Sequence, residues 1–253
     1  MRRTRIVLPS VFVLLVTLSA SAQFPSKSVA EIYEVKPKAG ADFEPAAKRH
    51  MEWHRQQHDT WSYAVWEIIS GERSGTYIGG TFDHDWKDFD ERAKLEEADL
   101  ANFRQTMGPV VQSIAASYWL YRADLSLPVE GQTGPAPYAE VITFFLKPDA
   151  WTPDVEDSIK KINDALRKGN PAIHGVWYQL LNGGSDALVL AIDHKSWGDF
   201  QPSGKEFFTV LTEAYGPQLT RSLLRAFGEN ISAARSEIFH YRPDLSYLPE
   251  GPK

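Results

Sequence analysis

Residues 121–126 read Tyr-Arg-Ala-Asp-Leu-Ser, and residues 241–246 read Tyr-Arg-Pro-Asp-Leu-Ser. The two hexapeptides differ at one position. Other matches recur in the same order at offsets of 109 to 111 residues: Ala30-Glu31-Ile32 with Ala139-Glu140-Val141, Val65-Trp66 with Val176-Trp177, and Asp83-His84 with Asp193-His194. A period this long indicates two copies of one small domain rather than a solenoid of short repeats.

The first residues do not belong to either copy. A basic start at residues 2–5 precedes an apolar run at 6–18, and small residues follow at Ala20-Ser21-Ala22. This is the pattern of a removable export signal, and the apolar run is too short to span a bilayer. We therefore expect a signal peptide at 1–22 and a mature protein that is periplasmic or secreted.

The charge balance limits the partners. Without residues 1–22, which hold three arginines and no acids, 24 basic side chains face 33 acidic ones, a net charge of −9. Such a chain is a poor ligand for nucleic acid or for anionic lipid. The sequence has no cysteine, so disulfides and thiolate nucleophiles are excluded. We expect no nucleic-acid partner, and no membrane partner after signal cleavage.

Each copy alternates between strand-like and helix-like hydrophobic periods. In copy one the pattern predicts strands at 30–36, 61–70, 75–82 and 117–123, with helical sequence at 42–58 and 86–116. In copy two it predicts strands at 138–147, 172–181, 187–192 and 236–241, with helical sequence at 154–168 and 196–227. The order βαββαβ is that of the ferredoxin-like unit. It divides the chain into repeat 1 (28–127), a Pro- and Gly-rich linker (128–137) and repeat 2 (138–247).

A ferredoxin-like sheet carries helices on one face and leaves its other apolar face in need of a partner. Two tandem copies can cover each other within one chain. In element order and repeated motifs the chain resembles the dimeric α+β barrel superfamily. The resemblance implies an α+β fold in which two tandem ferredoxin-like βαββαβ repeats form an intramolecular dimeric α+β barrel.

That superfamily includes antibiotic-biosynthesis-type monooxygenases, small degradative enzymes and haem enzymes related to chlorite dismutase. Membership in the haem group would imply a proximal histidine in the second copy together with a distal arginine. The available histidines are His174, His194 and His240, and none lies in a recognisable haem motif. The sequence therefore argues against haem and leaves the cofactor open.

The two copies differ where a helix should face its sheet. Helix one of copy two has an apolar stripe, and the matching positions of copy one include two histidines. The pairs are Val155 with Phe43, Ile159 with Ala47, Ile162 with His50, and Leu166 with His54. His58 would extend the same face by one turn, so His50, His54 and His58 form a predicted ladder.

Three interpretations of the ladder stay open: a structural polar core, cavity-lining groups that bind a ligand or move protons, and a metal site. Two histidines four residues apart can bind one divalent ion. Glu52 lies on the opposite side of the helix, which argues against a zinc protease. Tyr63 is a candidate cross-sheet hydrogen-bond partner.

Four further residues are secondary candidates. His84 and His194 follow matching strand ends, where support of a turn is favoured over a place at the barrel mouth. Glu31 and Glu140 occupy matching positions on the first strand of each copy. We expect both carboxylates to face solvent, with a meeting inside the barrel as the alternative.

The function that the sequence favours is an exported small-ligand-binding protein with an aromatic-lined cavity. The alternative is a monooxygenase-like or metal-dependent enzyme that uses the His50/His54 face of repeat 1. The expected partner is a small molecule. A monomer is the simplest assembly, since covalent fusion replaces a homodimer, and larger oligomers stay open.

Overall fold

The computed structural model describes residues 26–249 except 133, 149, 151–152, 171 and 202–203. The predicted signal peptide at 1–22 lies outside the described residues. None of the described helices combines the length and the apolar character that a membrane span requires.

Repeat 1 has the predicted element order. Its elements are β1 (Val29–Pro37), α1 (Phe43–Gln56), β2 (Ala64–Ile68), β3 (Tyr77–His84), α2 (Trp86–Thr106) and β4 (Val111–Tyr121). One boundary prediction was wrong, because residues 111–116 belong to β4 and not to a helix. Pro109 cannot continue a helix, and the chain beyond it pairs with β1 from Val111 onward. Pairing with a neighbouring strand therefore overrides the helical preference of Ala115 and Ala116.

Repeat 2 follows the same plan. Its elements are β5 (Tyr138–Leu146), α3 (Pro153–Gly169), β6 (Val176–Asn182), β7 (Ala187–His194), α4 (Phe207–Gly228) and β8 (Ile231–Tyr241). The predicted helical stretch at 196–227 is in fact two pieces: a short 3-10 turn at Trp197–Phe200, and α4. Gly216, with φ 73°, kinks α4 just before Pro217.

All eight strands close into one barrel in the order β1-β3-β2-β8-β5-β7-β6-β4. The two seams between the repeats are β2 with β8 and β4 with β6, and every neighbouring pair is antiparallel. Strands β3 and β7 therefore end at the same mouth of the barrel. The fold is α+β, with two tandem ferredoxin-like repeats forming an intramolecular dimeric α+β barrel, as the sequence predicts.

Apolar side chains from both repeats fill the inside of the barrel. Ile68 and Ile78 of repeat 1 pack with Ala139, Val141 and Phe239 of repeat 2. On the outer face of each sheet, a separate core lies under the helices. Each buried core side chain contributes about 1.5–3 kcal/mol relative to an exposed one, so the shared interior ties the two repeats together.

The repeated hexapeptide crosses the seam. The Ser126 hydroxyl accepts a hydrogen bond from the Trp177 N–H (2.8 Å), and the Ser246 hydroxyl accepts one from the Val65 N–H (2.9 Å). Leu125 and Leu245, both fully buried, pack into the core of the opposite repeat. Each copy of the motif therefore attaches one repeat to its partner.

The arginine and aspartate of each hexapeptide pair with each other. Arg122 donates to both oxygens of Asp124, at 2.9 Å each, and Arg242 donates to both oxygens of Asp244, at 3.0 and 3.1 Å. This bidentate geometry fixes the turn that leads from the last strand to the seam.

Candidate functional site

Helix α1 turns His50 and His54 toward α2, and both residues are buried. The third member of the predicted ladder is absent from this face. Helix α1 ends at Gln56, and His58 is an exposed turn residue with φ 51°. The ladder therefore has two members, and His58 is not part of the cluster.

The Nδ1 atoms of both imidazoles have fixed hydrogen-bond partners. His54 Nδ1 lies 2.8 Å from Asp59 Oδ2, and His50 Nδ1 lies 2.9 Å from Asn102 Oδ1. Since a carboxylate and an amide oxygen can only accept, each Nδ1 carries the proton. In the neutral form of each imidazole, Nε2 then holds the lone pair.

The two Nε2 lone pairs point to one carboxylate. Asp99, on α2, places Oδ1 3.6 Å from His50 Nε2 and 3.6 Å from His54 Nε2. These separations are longer than a hydrogen bond. Two ligands on one tetrahedral zinc ion, at ordinary bond lengths, stand about 3.3 Å apart. The two histidine–Asp99 separations are within a few tenths of an ångström of that spacing, and the ligand atoms of His50, His54 and Asp99 all lie within 4.8 Å of one another, so the three side chains could hold a metal ion.

Arg92, also on α2, joins the carboxylates to the sheet. Its Nη2 lies 3.0 Å from Asp59 Oδ2 and 2.8 Å from Asp99 Oδ2. The same Nη2 donates a hydrogen bond to the Tyr63 hydroxyl at 2.9 Å. With both imidazoles neutral, two carboxylates face one guanidinium, and the cluster keeps one net negative charge. A divalent cation fits that charge.

Repeat 2 also reaches this site through its C-terminal segment. The Tyr247 hydroxyl donates to the Asp59 carbonyl (2.7 Å), and the Tyr247 ring lies 6.0 Å from that of His54. Tyr63 lies closer, with its ring 4.5 Å from His54. Tyr63 was predicted as a hydrogen-bond partner of the histidines; its ring lies beside His54, but its hydroxyl accepts hydrogen bonds from Arg92 instead.

Burial and hydrogen bonding set the protonation states. Burial lowers the pKa of His50 below its ordinary value, which favours the neutral imidazole. Burial alone would raise the pKa of Asp59, but the hydrogen bonds from His54 and the Trp61 N–H and the charge of Arg92 hold it below its ordinary value. Burial raises the pKa of Tyr63, so this phenol stays protonated. The pKa shifts of these two groups favour a neutral His50 imidazole and an ionised Asp59 carboxylate, and neutral imidazole is the form that binds metal.

The corresponding place in repeat 2 is aliphatic. Leu166, the counterpart of His54, is buried against Val210 and Leu211 of α4, and Ile162, the counterpart of His50, packs on the same group. The same fold therefore needs no polar group here. Structural necessity does not explain the histidines of repeat 1.

The carboxylates of the first strands do not behave as expected. Glu31 is only 8% exposed. It shares the helix-covered face of β1 with Tyr33 and Val35, since alternate strand residues share a face. Burial raises its pKa, and hydrogen bonds from Tyr33 and Tyr118 oppose that shift. The expectation that Glu31 faces solvent was wrong.

Glu140 of repeat 2 keeps 34% of its side chain exposed and lies 3.9 Å from His194 Nε2. Val141, its neighbour on β5, packs inside the barrel, so Glu140 points to the helix side. The alternative prediction, that the two glutamates meet inside the barrel, was therefore wrong as well.

The histidines at the strand ends have packing partners. His84 accepts or donates a hydrogen bond with the Thr81 hydroxyl (2.6 Å) and stacks on Trp61, with ring centroids 3.8 Å apart. His194 stacks on Phe200 at 3.9 Å. These contacts agree with the favoured interpretation, support of the turn after each strand.

Two cavities lie away from the cluster. One, of about 1210 Å³, is bordered by the segment that joins the repeats and by Arg167, His174 and Lys195. The other, of about 460 Å³, lies at the start of α1 beside Lys48 and Tyr77. Neither is lined mainly by aromatic side chains. They give no support to the aromatic-lined ligand cavity expected from the composition.

The haem interpretation was tested on the three histidines of repeat 2. Both ring nitrogens of His174 face backbone carbonyls, at 3.0 Å from Ala172 and 2.7 Å from Asp193. His194 is stacked on Phe200 and His240 on Tyr138. Apolar side chains fill the space between sheet and helices in this repeat. Each of the three histidines considered as an iron ligand is therefore in contact with other groups of the protein.

Comparison with known proteins bears on the fold. No protein-family model matches the sequence, and no curated protein is similar to it in sequence. Solved structures do match. A candidate monooxygenase from Lactobacillus acidophilus NCFM has a TM-score of 0.52 at 6% identity, over 88% of this chain and 97% of that one.

An anthrone oxidase-like protein gives a TM-score of 0.54 at 10% identity, over 86% of this chain and 92% of that one. A chlorite dismutase variant from Candidatus Nitrospira defluvii gives a TM-score of 0.52 at 12% identity, over 87% of this chain and 93% of that one. At these identities the likeness concerns the fold alone. The chain therefore has the dimeric α+β barrel fold, with both halves of the barrel supplied by one polypeptide.

Proposed function

We propose that the protein is a metal-dependent enzyme that binds one divalent transition-metal ion through His50, His54 and Asp99. One observation carries the proposal. Two buried imidazoles direct Nε2 to the same carboxylate oxygen at 3.6 Å, while their Nδ1 atoms are held by Asp59 and Asn102. Histidine ligands of metals are oriented in this way, by an acceptor on the second nitrogen.

The ligand set favours chemistry over a purely structural role. Structural zinc sites use four protein ligands, whereas catalytic sites use three and leave a position open. Two histidines and one carboxylate are also the ligands of many non-haem iron enzymes. The fold neighbours include a candidate monooxygenase and an anthrone oxidase-like protein, which supports an enzyme on this fold.

The chain's own residues would divide the work. Asp59 and Asn102 fix the tautomer and the direction of the two imidazoles. Asp99 is 22% exposed at its side chain and His50 only 8%, so an open coordination position would face the Asp99 side of the cluster. Tyr63, held protonated by burial, offers a hydrogen-bond donor beside it.

We also propose that the protein is exported and acts as a monomer on a small molecule. The support for export is the sequence of residues 1–22, with its basic start and apolar run. The support for a monomer is that each sheet already finds its partner within the chain. Sequencing the N-terminus of the mature protein would test export, with Gln23 as the expected first residue.

The experiment uses the sister helix as its guide. The double variant His50→Ile, His54→Leu places in α1 the residues that repeat 2 has at the matching positions. We expect wild type to bind one equivalent of Co(II), seen in its visible absorption, and the variant to bind none. Thermal unfolding should stay cooperative, because the change removes two polar groups but leaves Asp59 paired with Arg92. We expect the free energy of unfolding of the double variant to differ from that of wild type by about 1–2 kcal/mol.

His58→Ala is the matched control, because it removes an imidazole from the same segment without touching the cluster. It should bind Co(II) as wild type does. Equal Co(II) binding by wild type and the double variant would contradict the proposed function. A wild type that takes up no ion would contradict it as well.

A further inference from the structure

Glu31 is a buried acid beside the metal ligands. It lies on the helix-covered face of β1, where Tyr33 follows it two residues later. Tyr118 of β4 stands directly opposite Glu31 in the strand register. Helix α2 covers this place, since Trp86 and Phe89 pack on the Tyr118 ring with centroids 5.4 and 5.5 Å away. The carboxyl group is therefore enclosed between the sheet and α2.

Opposing influences act on the proton of this carboxyl group. Burial raises the pKa of Glu31, and the exposed Glu96 of α2 raises it further, whereas hydrogen bonds from Tyr33 and Tyr118 and the charge of Arg92 lower it. Burial raises the pKa of Tyr118 to about 12, so its phenol keeps its proton and can donate. Burial favours the neutral acid and the donors favour the carboxylate. A change of charge nearby can therefore decide between the two forms.

Arg92 connects this acid with the metal ligands. Its Nη2 lies 2.8 Å from Asp99 Oδ2 and 3.0 Å from Asp59 Oδ2. Its Nη1 is buried and has no hydrogen-bond partner among the described residues. In the metal-free protein the two aspartates outweigh the guanidinium, and this excess negative charge disfavours a third carboxylate at Glu31. An ion on Asp99 would reverse that excess, and the site with Glu31 ionised would then sum to zero charge.

Repeat 2 has the acid without these neighbours. Glu140 matches Glu31 on the first strand, but Ile142 and Ile238 take the places of the two tyrosines. The Glu140 side chain keeps 34% of its surface exposed. Among the described residues, the pair of phenol donors thus accompanies the histidines in repeat 1 and does not occur in the half that lacks them.

We propose that Glu31 is the proton-exchanging group of the site: it holds a proton in the metal-free protein and releases it when a divalent ion binds to the two histidines and Asp99. The inference rests on the proposed function, because it needs the ion. The O–H bond of the carboxylic acid breaks, the carboxylate keeps the electron pair, and the proton passes to the solvent. Because the coupling is reciprocal, the affinity for the ion rises with pH over the range in which Glu31 titrates.

The test is calorimetric titration with Co(II) in buffers of different ionisation enthalpy, which counts the protons released per ion. Glu31→Gln keeps the shape of the neutral acid and should bind one equivalent of Co(II). Between about pH 5 and pH 7, wild type should release more protons than this variant, by up to about one per ion. Glu140→Gln removes the sister acid and is the matched control, so it should release as many protons as wild type. Protons from His50 are released by all three proteins and cancel in the comparison.

Infrared difference spectra provide a second measurement on the wild-type protein itself. Addition of Co(II) at about pH 5.5 should remove the C=O band of a protonated carboxyl group, and Glu31→Gln should lack that change. Equal proton release by wild type and Glu31→Gln throughout the interval would overturn the role of Glu31 and leave the metal site standing. An unchanged carboxyl band in wild type would do the same. Failure of wild type to bind Co(II) would overturn both the proposed function and this inference.

Discussion

At the scale of single residues, His54 connects the parts of the site. It is 1% exposed, its Nδ1 bonds to Asp59, and its Nε2 faces Asp99. Asp59 and Asp99 share Arg92 as a counterion. The carboxylates thus play different parts: one orients an imidazole, and the other is free to meet an ion.

The lowered pKa of His50 makes stability depend on pH. Just below the ordinary value of 6.5 the folded protein binds fewer protons than the unfolded chain, because burial disfavours the imidazolium. The contribution of His50 to the free energy of unfolding is therefore completely present above pH 6.5. It falls as the pH drops from 6.5 toward the folded pKa. Urea unfolding of the metal-free protein at about pH 7.5 and about pH 5.5 should show this loss.

His50→Ile should lose less stability than wild type over the same interval. His84, whose pKa burial also lowers, is present in both proteins and supplies a common background. If wild type and His50→Ile lost equal stability, the pH dependence would have to come from other groups.

The sequence revealed half of this site. His50 and His54 stand out because the sister helix has aliphatic residues at those positions. Arg92, Asp99 and Asn102 were missed, since a helix rich in charged residues looks like a solvated surface. Their spacing of seven and then three residues places them on one face of α2, a signal that becomes meaningful only once α1 is known to lie opposite.

At the scale of elements, α2 differs from its counterpart α4. No residue of α2 is fully buried, whereas α4 buries Val210, Leu211, Thr220 and Leu223. Helix α2 is held against α1 by the polar cluster and by half-buried rings such as Phe103, 5.4 Å from His50. Its attachment therefore depends on charge and hydrogen bonds more than on apolar packing.

Few buried apolar contacts make local opening easy. We expect the amides of α2 to exchange with solvent faster than those of α4 in the metal-free protein. Because an ion would join α1 to α2 through Asp99, Zn(II) should slow exchange in α2 and leave α4 unchanged. Hydrogen exchange followed by mass spectrometry measures both. Equal protection of α2 with and without the ion would argue against a bridge at Asp99.

The element order was predictable because each strand and helix is marked by its hydrophobic period and appears twice. The boundaries that failed are those set by tertiary contacts. Strand β4 starts at Val111 because β1 is there to pair with it. Helix α1 stops at Gln56, so that His58 lies in a turn.

At the scale of the whole molecule, the two repeats are attached by two strand–strand seams, by a shared apolar interior and by ion pairs between side chains. Arg73 of repeat 1 donates to Glu237 of repeat 2 (3.0 Å from Nε to Oε1), and the Glu237 side chain is fully buried. Removing one partner of such a pair costs about 3–5 kcal/mol. The closed barrel is one cooperative unit on this account.

Separately produced repeats (28–127 and 138–247) should be poorly soluble or should self-associate, because each exposes the apolar sheet face that the other covers. Size-exclusion chromatography of each repeat, beside the intact chain, is the measurement. A monomeric, well-folded single repeat would show that the shared interior is not required.

The contact between α1 and α2 is polar, whereas the contact between α3 and α4 is aliphatic. This difference determines how ligand binding to the protein should saturate. A barrel assembled from two identical chains would carry two equivalent sites, and ligands could influence each other across it. Here one half alone has the ligating side chains among the described residues. Occupancy of a monomeric barrel then follows a simple hyperbola with a Hill coefficient of about one.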